Sequence, residues 1–164
     1  MDKHWKKYQE TAFTFFADNS ETGTISFTFD AANKAATFNI RQKNYFIKQK
    51  GFWTSNISVT DTNEVEVLKM YAEKWYANNW VIEYRGIKYK LFVRNNPLAE
   101  YVITEGNKEI LAYGLQPGNG KVQVKITGAG DQVDFIFDFL LWFLFAPIAL
   151  ENIGDNPTFS LLLT

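Results

Sequence analysis

Basic side chains lie two or four positions apart in several otherwise apolar stretches, a spacing that could gather positive charge for binding an anion. Lys48 and Lys50 form one such pair, and Lys88, Lys90 and Arg94 form a longer series. Because successive side chains of a β-strand point to opposite faces, each set lies on one face. Ammonium and guanidinium groups gathered in this way bind phosphates, including those of lipid head groups. The structural alternative is a solvated outer face, which any antiparallel sheet carries.

Three carboxylates near the C-terminus form a second candidate group. Asp131, Asp134 and Asp138 fall at i, i+3 and i+7 of a helix that begins near Asp131, so they share one face of its first two turns. Such a stripe could ligate a cation or act in catalysis. Calcium requires more oxygen ligands than this, however, whereas carboxylates in a first turn complement the helix dipole. We therefore expect helix-end residues at a solvated barrel mouth and no metal.

Other catalytic chemistry lacks the residues it needs. The chain has no cysteine, and its single histidine, His4, has no visible partner. Neither G-x-S-x-G nor H-E-x-x-H occurs, and "GLQPGNGKV" lacks the first Gly and the Ser or Thr of a phosphate loop. The net charge of −1 and the pI of about 5.9 give no global field that attracts nucleic acid. We expect no enzyme, no cofactor and no nucleic-acid partner.

The elements that position these side chains are mainly strands. Between Thr11 and Thr127, about eleven short β-type runs are separated by turn residues at even spacing, with Arg85 and Gly86 forming one tight turn. The aromatic content of 17% suits half-buried sheet surfaces. We expect residues 1–10, which are polar and lack a secretory apolar run, to fray, and residues 11–164 to form a single domain.

One segment is too apolar for an ordinary surface helix. The run "VDFIFDFLLWFLFAPIAL" contains two charges, Asp134 and Asp138, each of which would cost about 2.5–3.5 kcal/mol at the centre of a membrane helix. Pro147 would interrupt its far end. A helix that is hydrophobic on all sides must be buried, and a closed β-barrel can contact every face of it. The sequence predicts a helix around 131–153 inside a barrel, and no transmembrane span.

The order of predicted elements, many strands and then one apolar helix, resembles that of the tubby-like superfamily. This superfamily includes tubby C-terminal domains, phospholipid scramblases and LURP-one-related proteins. A strand-rich meander precedes one very hydrophobic helix, and "FLFAPIALENIGD" is similar to the central helix of that family. The resemblance implies a closed antiparallel barrel of about 12 strands around the helix, and binding of phosphoinositide head groups by basic side chains. Two features depart from the family: Pro147 lies inside the helix, and the ten residues after Gly154 could add a strand.

These observations lead to one functional expectation and one alternative. We expect a cytoplasmic, non-enzymatic module that binds a phospholipid or phosphoinositide head group peripherally at a membrane, with Phe46, Phe52 and Trp53 beside the first lysine pair. The alternative is a calycin-like carrier or sensor of a small apolar ligand, with an open lumen and the helix outside. The sequence leaves open whether the basic faces converge and which partner proteins, if any, the chain has.

Overall fold

In the part of the chain that the structure describes, twelve antiparallel strands are followed by one helix. The computed structural model describes residues 1–30, 33–50, 56–74, 76, 78–95, 98–128 and 132–153. The strands are β1 (Lys3–Gln9), β2 (Ala12–Ala17), β3 (Ser20–Asp30), β4 (Asn33–Ile40), β5 (Lys43–Lys50), β6 (Asn56–Asp61), β7 (Glu66–Ala72), β8 (Asn79–Tyr84), β9 (Ile87–Asn95), β10 (Ala99–Glu105), β11 (Lys108–Gly118) and β12 (Lys121–Gly128). The helix, α1, is Ile136–Ile153.

The strands form one meander that curls into a nearly closed barrel. Each strand pairs with its neighbour in sequence, in the order β1 to β12, and the described residues contain no backbone pairing between β1 and β12. Two-residue hairpins join β2 to β3, β4 to β5, and β8 to β9 at the end of the barrel where α1 begins. We call this the helix-entry end. The predicted turn at Arg85 and Gly86 is one of these hairpins.

Strand β1 lies within residues 1–10, so the expectation that this segment frays is wrong. The ten residues after Gly154, which could add a strand, lie outside the described residues. Residues from Lys3 to Gln9 pair with β2, and the Trp5 side chain is completely buried. His4 is half-buried and stacks on Phe16 with ring centroids 5.0 Å apart. This strand is held because its inward side chains reach the core, even though most of its sequence is polar.

Helix α1 lies inside the barrel, as its apolar sequence predicts. Every residue from Ile136 to Phe143 is buried, and these residues span more than two turns, so the helix has no wet side there. Rings of α1 contact rings on opposite walls of the barrel. The pairs are Trp142 with Trp5 of β1, Phe143 with Phe27 of β3, Phe139 with Phe38 of β4, Phe137 with Tyr89 of β9, and Phe145 with Tyr101 of β10.

The helix begins later than the carboxylate spacing predicts. It starts at Ile136 rather than near Asp131, which lies outside the described residues, as does Gly154. Asp134 caps the helix, because its Oδ1 accepts a hydrogen bond from the Ile136 N–H at 3.0 Å. Asp134 therefore lies at the barrel mouth, as expected.

Pro147 neither ends nor shortens the helix. A proline has no N–H to give to the carbonyl four residues earlier, so it leaves the Phe143 carbonyl without its helical partner. Lys34 of β4 replaces the missing donor, because its Nζ donates a hydrogen bond to the Phe143 carbonyl oxygen. The same Nζ lies 4.5 Å from the centre of the Phe143 ring. Burial lowers the pKa of Lys34 to about 8.

Buried side chains join the first strand, β1, to β11 and to α1. Asp138 is completely buried, and its Oδ2 lies 2.9 Å from the Nζ of Lys3, which is also buried. The Tyr113 hydroxyl of β11 donates to Asp138 Oδ1 at 2.9 Å and accepts from Trp5 Nε1 at 3.0 Å. The expectation that Asp138 is solvated at the mouth is therefore wrong: it joins β1, β11 and α1 in one buried network.

Candidate anion-binding face

The structure brings the two predicted basic sets onto the same side of the barrel. Lys48 in β5 and Lys88 in β9 belong to one row of cross-strand neighbours on the outer surface. The row reads Lys48, Ser58, Lys69, Glu83 and Lys88 across five adjacent strands. Since adjacent strands lie about 4.8 Å apart, successive lysines of this row are about 10 Å apart. The convergence that the sequence left open is thus present.

Two further lysines extend this row toward the opposite end of the barrel. Lys50 and Lys90 each lie two residues beyond a lysine of the row, on the same strand face and exposed. We call Lys48, Lys50, Lys69, Lys88 and Lys90 the lysine face. Lys48, Lys50 and Lys90 form no ion pair with any residue that the structure describes. Their charges are therefore available to an external anion.

Lys69 is a member of the lysine face that the alternating pattern missed. It is the only cation of β7, so no second lysine on its own strand marks it. Its place becomes visible only when β6 and β8 are paired beside it. A signal was present in the sequence, because Leu68 and Met70 on either side are apolar and buried, which turns Lys69 outward.

Two glutamates lie among the lysines and moderate their field. Glu83 Oε2 is 3.3 Å from Lys69 Nζ, and Glu83 Oε1 is 3.7 Å from Lys88 Nζ. A hydrogen bond from the Tyr71 hydroxyl and the charges of both lysines hold the pKa of Glu83 below its usual value. Glu66 accepts a hydrogen bond from Ser58 nearby. The five lysines still outnumber these two carboxylates, so the face is net positive.

Arg94 differs from the other predicted site residues because carboxylates already hold it. Its Nε donates to Glu100 at 2.7 Å, and its Nη1 and Nη2 donate to the two oxygens of Glu109 at 2.5 and 3.2 Å. These bonds raise the pKa of Arg94 and fix its guanidinium between β10 and β11. Arg94 shares a strand face with Lys88 and Lys90, but its role here is to bind neighbouring strands.

Apolar and concave features accompany the lysine face. Phe46, two residues before Lys48 on the same strand face, has 41% of its surface exposed. Phe52 and Trp53 lie outside the described residues. A cleft of about 560 Å³ runs beside the lysine row at the helix-entry end, with Lys69 and Lys88 on its walls. Cations beside an exposed aromatic ring and a shallow cleft suit a ligand that has both charged and apolar parts.

The carboxylates do not form a metal centre in the part of the chain that the structure describes. No group of three or more His, Asp or Glu side chains is placed to hold an ion there. Asp134 accepts a hydrogen bond from the Tyr84 hydroxyl at 2.7 Å, and Asp138 is paired with Lys3. Both described aspartates are therefore used in holding the helix.

Comparison with known proteins adds no assignment to this geometry. No protein-family profile matches the chain, and neither a curated protein nor a solved structure shows significant similarity to it. Over the described residues, no helix meets the length and apolarity needed to cross a bilayer.

Proposed function

We propose that the protein is a non-enzymatic, tubby-like barrel that binds anionic phospholipid, including phosphoinositide head groups, peripherally through its lysine face. The observation that carries this proposal is the alignment of Lys48, Lys69 and Lys88 in one row, with Lys50 and Lys90 beside it. A lysine near an anionic bilayer contributes on the order of 1 kcal/mol of binding free energy. A row of this kind therefore gives weak, reversible and salt-sensitive attachment on the cytoplasmic side of a membrane.

The order of elements supports the tubby-like part of the proposal. Twelve antiparallel strands in sequence order precede one helix that occupies the barrel axis. A calycin-like carrier requires an open lumen, and α1 fills the interior along Ile136–Phe143. We therefore favour an outer binding surface over an inner ligand cavity.

The test compares binding to vesicles of phosphatidylserine and phosphatidylcholine with binding to phosphatidylcholine alone. In the test variant, Lys48, Lys88 and Lys90 are changed to Ala together, since none of them is buried. Three such changes should weaken binding to the anionic vesicles by about two orders of magnitude at about 1 kcal/mol each. Arg94 is left in place because its loss would break the bonds that join β9 to Glu100 and Glu109.

The matched control replaces Lys6, Lys121 and Lys125 with Ala. These exposed lysines lie on β1 and β12, across the barrel from the lysine face, and the change in net charge is the same. We expect the control to bind nearly as the parent does, and parent binding to fall as salt rises. Equal losses in the two triple variants, or no loss in the test variant, would reject the lysine face as the binding surface.

A further inference from the structure

A second concave region lies at the helix-entry end, and it shares Tyr84 and Arg85 with the cleft beside the lysine face. It is a cavity of about 850 Å³ between the rim of the barrel and the start of α1. Its lining includes Ile40, Arg41, Arg85, Ile87, Lys108 and Phe135. Pockets of this size hold small molecules, commonly with apolar walls and a few convergent polar groups.

Two arginines reach this cavity from turns that do not favour arginine. Arg41 and Gln42 have φ values of 47° and 70°, and Arg85 and Gly86 have φ values of 51° and 75°. Both pairs are the centres of two-residue hairpins, so both turns have type I′ geometry, for which Asn, Asp and Gly are the preferred residues. The type I′ hairpin at Asp18 and Asn19 follows that preference. Arginine is thus placed twice in a strained backbone position, each time beside the same cavity.

The charges around the cavity leave cationic groups available. Arg41 forms no ion pair among the described residues, and its Cζ lies 5.2 Å from the centre of the Phe135 ring. Arg85 Nη1 is 3.7 Å from Asp134 Oδ2, but that carboxylate also accepts from Tyr84 and from the Ile136 N–H. Glu105 is the other carboxylate of the lining. The lining therefore contains three basic side chains and two acidic ones. One of the two carboxylates, Asp134, already accepts hydrogen bonds from other groups.

The walls between these charges are apolar. Ile40, Ile87, Ile110, Val133 and Phe135 contribute to the lining, and Ile87 is largely exposed. A guanidinium presents a planar fork that matches phosphate and carboxylate oxygens, and it binds them more strongly beside apolar surface than in open water. The arrangement suits an oxyanion attached to an apolar group.

We propose that this cavity binds a small organic anion, with the oxyanion held by Arg41 and Arg85 and the apolar body packed against Phe135 and the isoleucines. This ligand is different from the bilayer surface assigned to the lysine face. The strain at the two hairpins is then explained, because the turn residues are chosen for the ligand rather than for the turn. Replacing either arginine by the residue that the turn prefers should remove binding without harming the fold.

The experiment titrates phenyl phosphate into the full chain and follows binding by calorimetry, with inorganic phosphate and phenol as probes of the separate halves. The parent should bind phenyl phosphate at least about tenfold more tightly than it binds inorganic phosphate or phenol. Only phenyl phosphate contacts both the arginine guanidinium groups and the apolar wall. Arg41→Asn and Arg85→Asn should each weaken binding about tenfold or more, with a thermal midpoint equal to or above that of the parent.

The control is Gln42→Gly, which relieves the same hairpin while keeping Arg41. It should bind phenyl phosphate as the parent does. Binding of Arg41→Asn to anionic vesicles should also remain within about twofold of the parent, because Arg41 does not line the cleft beside the lysine face. This comparison separates a soluble ligand from a lipid head group. The proposal is overturned if the parent shows no saturable binding, if the arginine variants bind phenyl phosphate normally, or if Arg41→Asn loses vesicle binding together with phenyl phosphate binding.

Discussion

Replacing Lys3 with Met tests whether the buried ion pair holds the first strand to the helix. The change nearly keeps the volume of the side chain. Among the described residues it removes the one cation within hydrogen-bond distance of Asp138, which has no exposed surface. Removing one partner of a buried pair typically costs about 3–5 kcal/mol, because the remaining charge is buried without compensation. We expect Lys3→Met to lower the free energy of unfolding by that amount at pH 7.

The pH dependence of this loss has a definite sign. Burial outweighs the attraction of Lys3 and raises the pKa of Asp138 above its ordinary value of 3.8, and removing Lys3 raises it further. A carboxyl group whose pKa is higher in the folded state favours folding as it takes up a proton. The difference in unfolding free energy between variant and parent should therefore narrow as pH falls from the folded-state pKa of Asp138 in the variant to its lower value in the parent, both of which lie above 3.8.

Denaturant unfolding at several pH values measures these changes, with Lys6→Met as the control. Lys6 lies on the same strand but is exposed, so its replacement should change stability by less than about 0.5 kcal/mol. Adding Asp138→Asn to Lys3→Met should cost much less than Asp138→Asn costs alone in the parent, because the two groups interact directly. A Lys3→Met variant as stable as the Lys6→Met control would show that the pair contributes nothing.

Two further predictions concern the helix and its contact with β4. Leu140→Asp and Leu141→Asp should each lower the free energy of unfolding by more than about 4 kcal/mol, since both leucines are completely buried and lie on different sides of α1. Denaturant unfolding measures this loss. If Asp is tolerated at either position, that side of the helix is solvated. The free energy of unfolding should rise between about pH 8 and the ordinary lysine pKa of 10.5, because the unfolded chain retains the proton that folded Lys34 loses. This rise should be smaller in Lys34→Met. Equal slopes of unfolding free energy against pH in the two proteins would contradict the lowered pKa of Lys34.

Much of the architecture follows from periodicity. The eleven runs between Thr11 and Thr127 correspond to β2 through β12, and the enclosed helix follows from an apolar sequence that no ordinary surface helix can solvate. The sequence pattern does not predict β1, because one of the two buried positions of this strand is Lys3. A charged residue there breaks the alternation of apolar and polar residues that marks a strand. Only Asp138, which is 135 residues away, makes that lysine an interior residue.

The candidate site was predictable strand by strand but not as a surface. Alternation placed Lys48 and Lys88 outward, whereas the row that joins them depends on the pairing of three intervening strands. The ion pair between Arg94 and Glu109 could not be predicted for the same reason, since Glu109 lies on β11, two strands away from β9. Of the two arginines that line the cavity, Arg85 lies in a turn that the sequence predicts from Gly86. Arg41 gave no such signal, because a type I′ turn is recognised from Asn and Gly and its partner in the turn is Gln42.

The buried network that joins β1, β11 and α1 also separates two stages of folding. Every strand pairing within the described residues joins strands that are consecutive in sequence, so the shell consists of contacts of low contact order that form quickly. The bonds from Lys3 to Asp138 and from Trp5 to Tyr113 span 135 and 108 residues. During synthesis from the N-terminus, the shell emerges before the helix that fills it. The nascent chain therefore presents an unfilled apolar interior and two unpaired strand edges until α1 leaves the ribosome, which makes this interval the time when chaperones are most needed.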